Sequence, residues 1–141
     1  MMATWLMKSE PDAYSWDDLT KEGEGTWDGV RSHGAALHLK GMQVGDQALF
    51  YHSNIGKECV GIITISAAAF PDPTELEGTR WVAVKVRPLV ALHQPVTLAA
   101  IKAEPRLADM AIIRQSRLSV APIRPEEWAV LMEMAGGDPR P

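Results

Sequence analysis

Three apolar runs in this sequence stop on side chains that hydrogen-bond or carry charge. The first is Trp5-Leu6-Met7, followed by Lys8-Ser9-Glu10 and the breaker Pro11. The second passes from Ala48-Leu49-Phe50-Tyr51 into His52-Ser53-Asn54, and the third from Ile112-Ile113 into Arg114-Gln115-Ser116-Arg117. A cation, a hydroxyl and a carboxylate in succession are expensive to bury unpartnered and easy to use at a rim. The first run is therefore read as one wall of a polar pocket and the later polar endings as its other walls. The plainer alternative is a set of solvated chain ends. Trp27 adds a candidate face: it is flanked by Thr26 and Asp28 rather than by apolar residues, which suits either a stacking platform or the lid of a core edge. Planar aromatics, short polar groups and arginines together suit recognition of one heterocyclic base. The ring stacks, fixed hydrogen bonds read its edge, and arginines at the mouth hold phosphate.

Other chemistries have weaker support. His33, His38, His52 and His93 form no HExxH pair and no ligand spacing with cysteine, so no metal site is expected. Ser9, Ser53 and Ser116 lie outside any GxSxG elbow. There is neither a P-loop nor a GxGxxG turn, and no cofactor is implied. Glu10 and His52 both close apolar runs and could work as an acid–base pair. An enzyme of nucleotide or modified-nucleoside metabolism therefore stands as the alternative to a binding module, and an accessory small-ligand domain as a third reading.

With 141 residues, 46% of them hydrophobic and 23% charged, the chain suits one domain over 1–141 with a core large enough to need no staples. Its one cysteine, Cys59, lies in the apolar run Cys59-Val60-Gly61-Ile62-Ile63. A buried thiol in a reducing, cytoplasmic setting is expected. No apolar run approaches the roughly 20 residues of a membrane span, and the first residues lack a basic-then-apolar signal pattern. The net charge of −4 argues against a protein that coats nucleic acid with its whole surface. The charge is unevenly placed, however: −7 over residues 1–78, +6 over 79–124 and −3 over 125–141. The basic third offers a local anion-binding face, unless it is spent pairing with the acidic segments.

These endings need elements to hold them. Pro11 removes a donor and pushes Glu10 toward extended backbone, so a first strand stops at Lys8 or Ser9. Ser15 with Asp18 three residues on is a capping box opening a short helix. Residues 25–31 read as a loop carrying Trp27. Ala35, Leu39 and Met42 predict a helix over 35–42. Val44-Gly45-Asp46 turns into a strand over 47–52, which a strand over 59–68 joins as a hairpin. Gly61 within it signals a bulge or the close approach of another backbone. A valine-rich strand over 81–92 is split, or placed at an edge, by Pro88. Thr97 caps a helix over 98–103, and 118–123 hold a last strand. Pro125-Glu126-Glu127 opens a helix that runs to about Met134 and stops at Gly136-Gly137. The tail 138–141 is expected to fray. Five to six strands joined by hairpins and long crossings predict an α+β fold, a small, mostly antiparallel sheet curled into a barrel with short flanking helices.

The motifs form a series: Lys8-Ser9-Glu10-Pro11 with Asp12, Ser15-Trp16-Asp17-Asp18-Leu19, Trp27-Asp28-Gly29-Val30-Arg31, Val44-Gly45-Asp46, Phe50-Tyr51-His52-Ser53, Pro71-Asp72-Pro73, and Arg114-Gln115-Ser116-Arg117-Leu118-Ser119-Val120. No single motif is specific, but the ordered series, which spans nearly the whole chain, closely resembles the EVE domain family. The resemblance implies a PUA-like β-barrel related to the YTH readers. It also implies a non-catalytic module that binds a modified base, such as a 5-substituted cytosine, in DNA or RNA. On that basis Trp27 and Tyr51 would supply faces, and Ser9, Glu10, His52 and Ser53 would read edges. Lys8, Arg31, Arg114 and Arg117 would meet phosphate or base acceptors; Val30 and Ser116 fall within the same motifs, and Ser32 follows Arg31 as a further candidate. The partner is then nucleic acid, with no membrane and no metal, and the protein a monomer or weak dimer. The chain departs from the family after Arg31. Where relatives usually carry asparagine, an aromatic residue, glutamine and alanine-arginine, it has Ser32-His33-Gly34-Ala35-Ala36. A hydroxyl replaces an amide, and a phosphate contact is lost at Ala36. Arg124 stands where a threonine cap is usual, at a cost of about 1 kcal/mol.

Overall fold

A computed structural model describes residues 3–78 and 80–141. Among these, six strands form one mixed sheet: β1 (Thr4–Ser9), β2 (Gly25–Trp27), β3 (Gln47–His52), β4 (Glu58–Pro71), β5 (Val82–Thr97) and β6 (Val120–Ile123). Helices α1 (Trp16–Glu22), α2 (His33–Gly41), α3 (Leu98–Ala103), α4 (Ala111–Arg114) and α5 (Pro125–Met134) lie between and after them, with a 3-10 turn at Pro105–Leu107. The strand order is β2-β5-β4-β3-β1-β6. β1 runs parallel to β3, and every other pairing is antiparallel. The fold class is α+β.

The hydrogen bonds do not close a barrel. Among the described residues no ladder joins β2 to β6. The sheet nevertheless curls strongly. In a flat sheet β1 would stand four steps, about 19 Å, from β2. Instead Trp27 of β2, Met7 of β1 and Val120 of β6 share one buried cluster, into which α2 presses Ala35 and Leu39. On the opposite face Leu6, Leu49 and Ile62 pack with Ile101 of α3 and with Trp128 and Leu131 of α5. The period-two alternation of β1 thus sends Trp5 and Met7 one way and Leu6 the other. Each such fully buried side chain contributes roughly 1.5–3 kcal/mol.

Caps set most helix ends. Ser15 Oγ accepts from the Asp18 amide at 3.0 Å, and the Asp18 carboxylate accepts from the Ser15 amide at 2.9 Å, completing the box on α1. Ser32 caps α2 by accepting from the Ala35 amide at 3.5 Å, so that helix begins two residues before the apolar spacing does. At α5 Arg124 supplies no side-chain cap, but the buried Glu127 carboxylate accepts the Arg124 amide at 2.9 Å and its guanidinium at 3.1 Å. Half the box is therefore kept.

One strand expectation changes and two open alternatives resolve. Residues 25–27 are a strand, not a loop, pairing with Val84–Val86 of β5. β5 runs unbroken through Pro88, which lies beyond the last residue paired with β2 and beside a register shift between Ile62 and Ile63 of β4, where a missing donor is tolerated. At Gly61 the register shifts against both β3 and β5, as a bulge there requires, and the neighbour that closes on it is the Trp16 indole: a Cβ there would overlap that ring. Beyond α5, Arg140 in the tail lays its guanidinium 5.2 Å from the Trp128 ring and donates to Gln47.

Candidate functional site

The polar end of β1 borders two cavities, each of about 620 Å³. Lys8, Glu10 and Ser119 line both. On the α3 side the wall is joined by Tyr51, Ser53, Lys57, Lys102, Ser116 and Arg117. On the other side it is joined by Ser9, Tyr14, Glu22, Trp27, Asp28, Val30 and Arg31. Alternation along β1 gives Ser9 the parity of Met7, and Ser9 lines only the second cavity, whereas Lys8 and Glu10 reach both. The two spaces differ in charge. Lys8, Lys57, Lys102 and Arg117 face the first against Glu10 alone, whereas Glu10, Glu22 and Asp28 outnumber Lys8 and Arg31 in the second.

Trp27 forms the apolar face of the second cavity. It is 7% exposed and meets the Phe50 ring edge-on at 5.4 Å. Beside it, partial burial and then the Asp72 carboxylate raise the Asp28 pKa. Burial, followed by the charge of Glu22, pushes the Tyr14 phenol up to about 12. The loop after Trp27 is tied down by Asp72. Its carboxylate accepts from the Gly29 amide at 2.8 Å, from Arg31 Nη1 at 2.9 Å, and from the Thr74 amide and hydroxyl at 2.7 and 2.6 Å. Burial alone would raise the Asp72 pKa, but these bonds outweigh it and hold the pKa at about 2. In the first cavity, Lys8 Nζ donates to the Ser116 carbonyl at 2.9 Å and stands 5.9 Å from the Tyr51 ring centre. Burial lowers the Lys8 pKa and pushes the Tyr51 phenol up to about 12.

A profile of the EVE domain matches residues 3–134. The chain belongs to the EVE domain family. It is similar to human thymocyte nuclear protein 1, with 29% identity over 168 aligned residues covering 96% of this chain and 75% of that protein. An NMR structure of a Rhodopseudomonas palustris protein is 50% identical, with a TM-score of 0.90 over 96% of this chain and 94% of that one. The crystal structure of human THYN1 protein in complex with 5-methylcytosine-containing DNA is 28% identical, with a TM-score of 0.89 over 97% and 99% of the two chains.

The EVE motifs divide into cavity walls and scaffold. Of the residues expected to form one site, Lys8, Glu10, Tyr51, Ser53, Ser116 and Arg117 meet in the first cavity. Ser9, Trp27, Val30 and Arg31 line the second, again with Lys8 and Glu10. Three others line neither. His52 Nε2 accepts the Trp16 amide at 3.1 Å, so the lone pair an acid–base partner of Glu10 would need is in use. Arg114 donates to Asp109 at 2.7 Å. Ser32 serves as the cap of α2. Arg31, expected to meet phosphate, is held by Asp72 and Thr74. His33 lies against Trp81 with ring centres 5.1 Å apart. The Val44-Gly45-Asp46 motif is structural: buried Asp46 accepts from Trp5 Nε1 at 3.2 Å and from the Gln43 amide at 2.9 Å.

Sequence reading missed Glu22 and Tyr14 in the second cavity and Lys57 and Lys102 in the first. Adjacency to Trp27 was the one local signal for Asp28. Lys57 sits in the β3–β4 turn and Lys102 in α3, and they carry no shared pattern. Among the described residues no group of three or more His, Cys, Asp or Glu is placed to hold a metal ion, and no helix is long and apolar enough to cross a membrane.

Proposed function

We propose that this EVE domain is a non-catalytic reader that draws one modified base of a DNA or RNA strand, 5-methylcytosine foremost, into the Trp27 cavity. The observation that carries the reading is an indole face set among carboxylates. Cytosine presents an amino donor on the edge that carboxylates accept, whereas thymine presents an oxygen acceptor there. Glu10, Glu22 and Asp28 therefore favour the amino base, while Trp27 and Val30 give its ring and 5-methyl group apolar contact. Stacking on an aromatic ring contributes about 1–3 kcal/mol per base. The complex of human THYN1 with 5-methylcytosine DNA supports the same ligand class at 28% identity.

We read the coiled sheet as a PUA-like barrel left open between β2 and β6 and plugged by α2. A reducing, cytoplasmic setting suits the buried Cys59 thiol, whose pKa burial pushes up to about 12. The test is fluorescence anisotropy with single-stranded oligonucleotides that differ at one position: 5-methylcytosine, cytosine or thymine. The expected order is 5-methylcytosine first. Thymine falls behind although it carries the same methyl group, because its O4 faces carboxylates. Equal binding of all three would overturn the reading.

A further inference from the structure

We propose that the first cavity is a phosphate site, holding the phosphodiester next to the base seated against Trp27, so that one strand is gripped on both sides of the β1 end. This rests on the base-reading function above and adds a second site to it. The charge balance points to an anion: Lys8, Lys57, Lys102 and Arg117 face the space, and Glu10 is its one carboxylate among the lining residues. Outside the cavity and among the described residues, Arg80 and the lysines Lys21, Lys40 and Lys85 pair with no carboxylate, but the other six arginines do. Arg31, Arg87, Arg106, Arg114, Arg124 and Arg140 each pair with a carboxylate. None of the four cavity cations has a carboxylate oxygen within 4.0 Å among the described residues. Positive charges gathered at one concavity and left unpaired raise the local concentration of anions.

Backbone geometry adds an independent mark. Lys57 has φ +49° and Asn54 φ +68°, both left-handed, in the turn between β3 and β4. Asparagine tolerates this region, whereas lysine is strained there and glycine would not be. The turn is fixed by the Leu98 amide, which donates to the Lys57 carbonyl at 2.8 Å. Strain retained beside a cavity is characteristic of sites where the side chain is needed. The ligand is a strand rather than a free ion because the space continues. Lys57, Leu98 and Lys102 are shared with a groove of about 460 Å³ that runs on past Thr97 and Ala99. Lys8, Glu10 and Ser119 belong to both main cavities, so base and phosphate would lie on either side of the same three residues.

The test compares wild type, the double variant Lys57→Gln/Lys102→Gln, and Lys40→Gln, at an exposed position of α2, as a charge control. The probes are 5-methyldeoxycytidine, its 3′- and 5′-monophosphates, and single-stranded oligonucleotides with one 5-methylcytosine or cytosine. Wild type should bind at least one monophosphate more tightly than the nucleoside. The double variant should lose on the order of tenfold in affinity for both oligonucleotides alike, and its slope of log K against log salt should shrink by about 1. Lys57→Gly, which relieves the backbone, should weaken binding without lowering the melting temperature. A double variant that binds like Lys40→Gln, or equal affinity for nucleoside and monophosphates, would overturn the phosphate site. Loss of 5-methylcytosine preference in wild type would instead count against the base-reading function, so the two failures are separable.

Discussion

The indole of Trp27 both packs and lines. Its edge-on contact with Phe50 and its 7% exposure place it in the inner core, while it also faces the carboxylate-rich cavity. Its polar neighbours in sequence suggested a loop, because a three-residue strand is too short to show alternation and its partner β5 lies far along the chain. Truncation should therefore cost both properties. Trp27→Ala is expected to lose about 3–5 kcal/mol of stability in urea unfolding. Trp27→Leu refills much of the space and should recover most of that, yet still bind roughly 5- to 150-fold more weakly, the range set by stacking. Full binding by Trp27→Leu would assign the ring to the core alone. Asp72 is the other residue whose role was invisible in sequence, since Gly29 and Arg31, which it holds, lie 43 and 41 positions away. Its folded pKa of about 2 lies below the ordinary 3.8. A depressed carboxyl pKa contributes stability above the ordinary value and loses it as pH falls toward the folded one. About 2 kcal/mol should disappear between roughly pH 4 and pH 2. Circular-dichroism melts across that window should show a shallower acid loss for Asp72→Asn, which should also be less stable at neutral pH.

At the scale of elements, legibility followed locality. The Ser15–Asp18 box and the Thr97 cap each act within three residues and were readable. So was the run of α5 from Pro125 to Met134, whose Trp128, Leu131 and Met132 are all buried. What depended on distant chain was not readable, β2 and the barrel gap above all. Gly61 lies between these cases: its sequence position announced a close approach, but only the fold supplies Trp16 as the neighbour. The α1 indole lies over β4 at a point where any Cβ would sit 2.4 to 2.6 Å from its ring carbons. Gly61→Ala should therefore displace Trp16 and lower stability by about 1–3 kcal/mol, as overpacking does. The double substitution Gly61→Ala/Trp16→Leu should cost less than the sum of its parts, because one clash underlies both changes. Simple additivity in thermal unfolding would mean that Trp16 yields without strain.

For the whole molecule, composition showed an acidic protein with a basic third, and the fold turns that imbalance into two cavities of opposite character on one rim. The candidate site was legible as three polar chain endings, because apolar-to-polar transitions mark strand and helix ends. Its division in two was not, because the walls that separate the cavities come from distant chain, Trp27 and Asp28 on one side and Lys57 and Lys102 on the other. With a net charge of −4, duplex DNA should bind weakly and lose affinity steeply with salt. Tight, salt-insensitive binding of unmodified duplex would contradict the charge map. The most direct measurement follows the methyl group itself. An oligonucleotide carrying 5-methylcytosine with a carbon-13 methyl label should show that resonance shifted upfield on binding, by the ring current of Trp27, and the shift should vanish in Trp27→Leu. A methyl resonance that stays at its free position in the bound state, or an upfield shift that survives in Trp27→Leu, would contradict the seating of the base in this cavity.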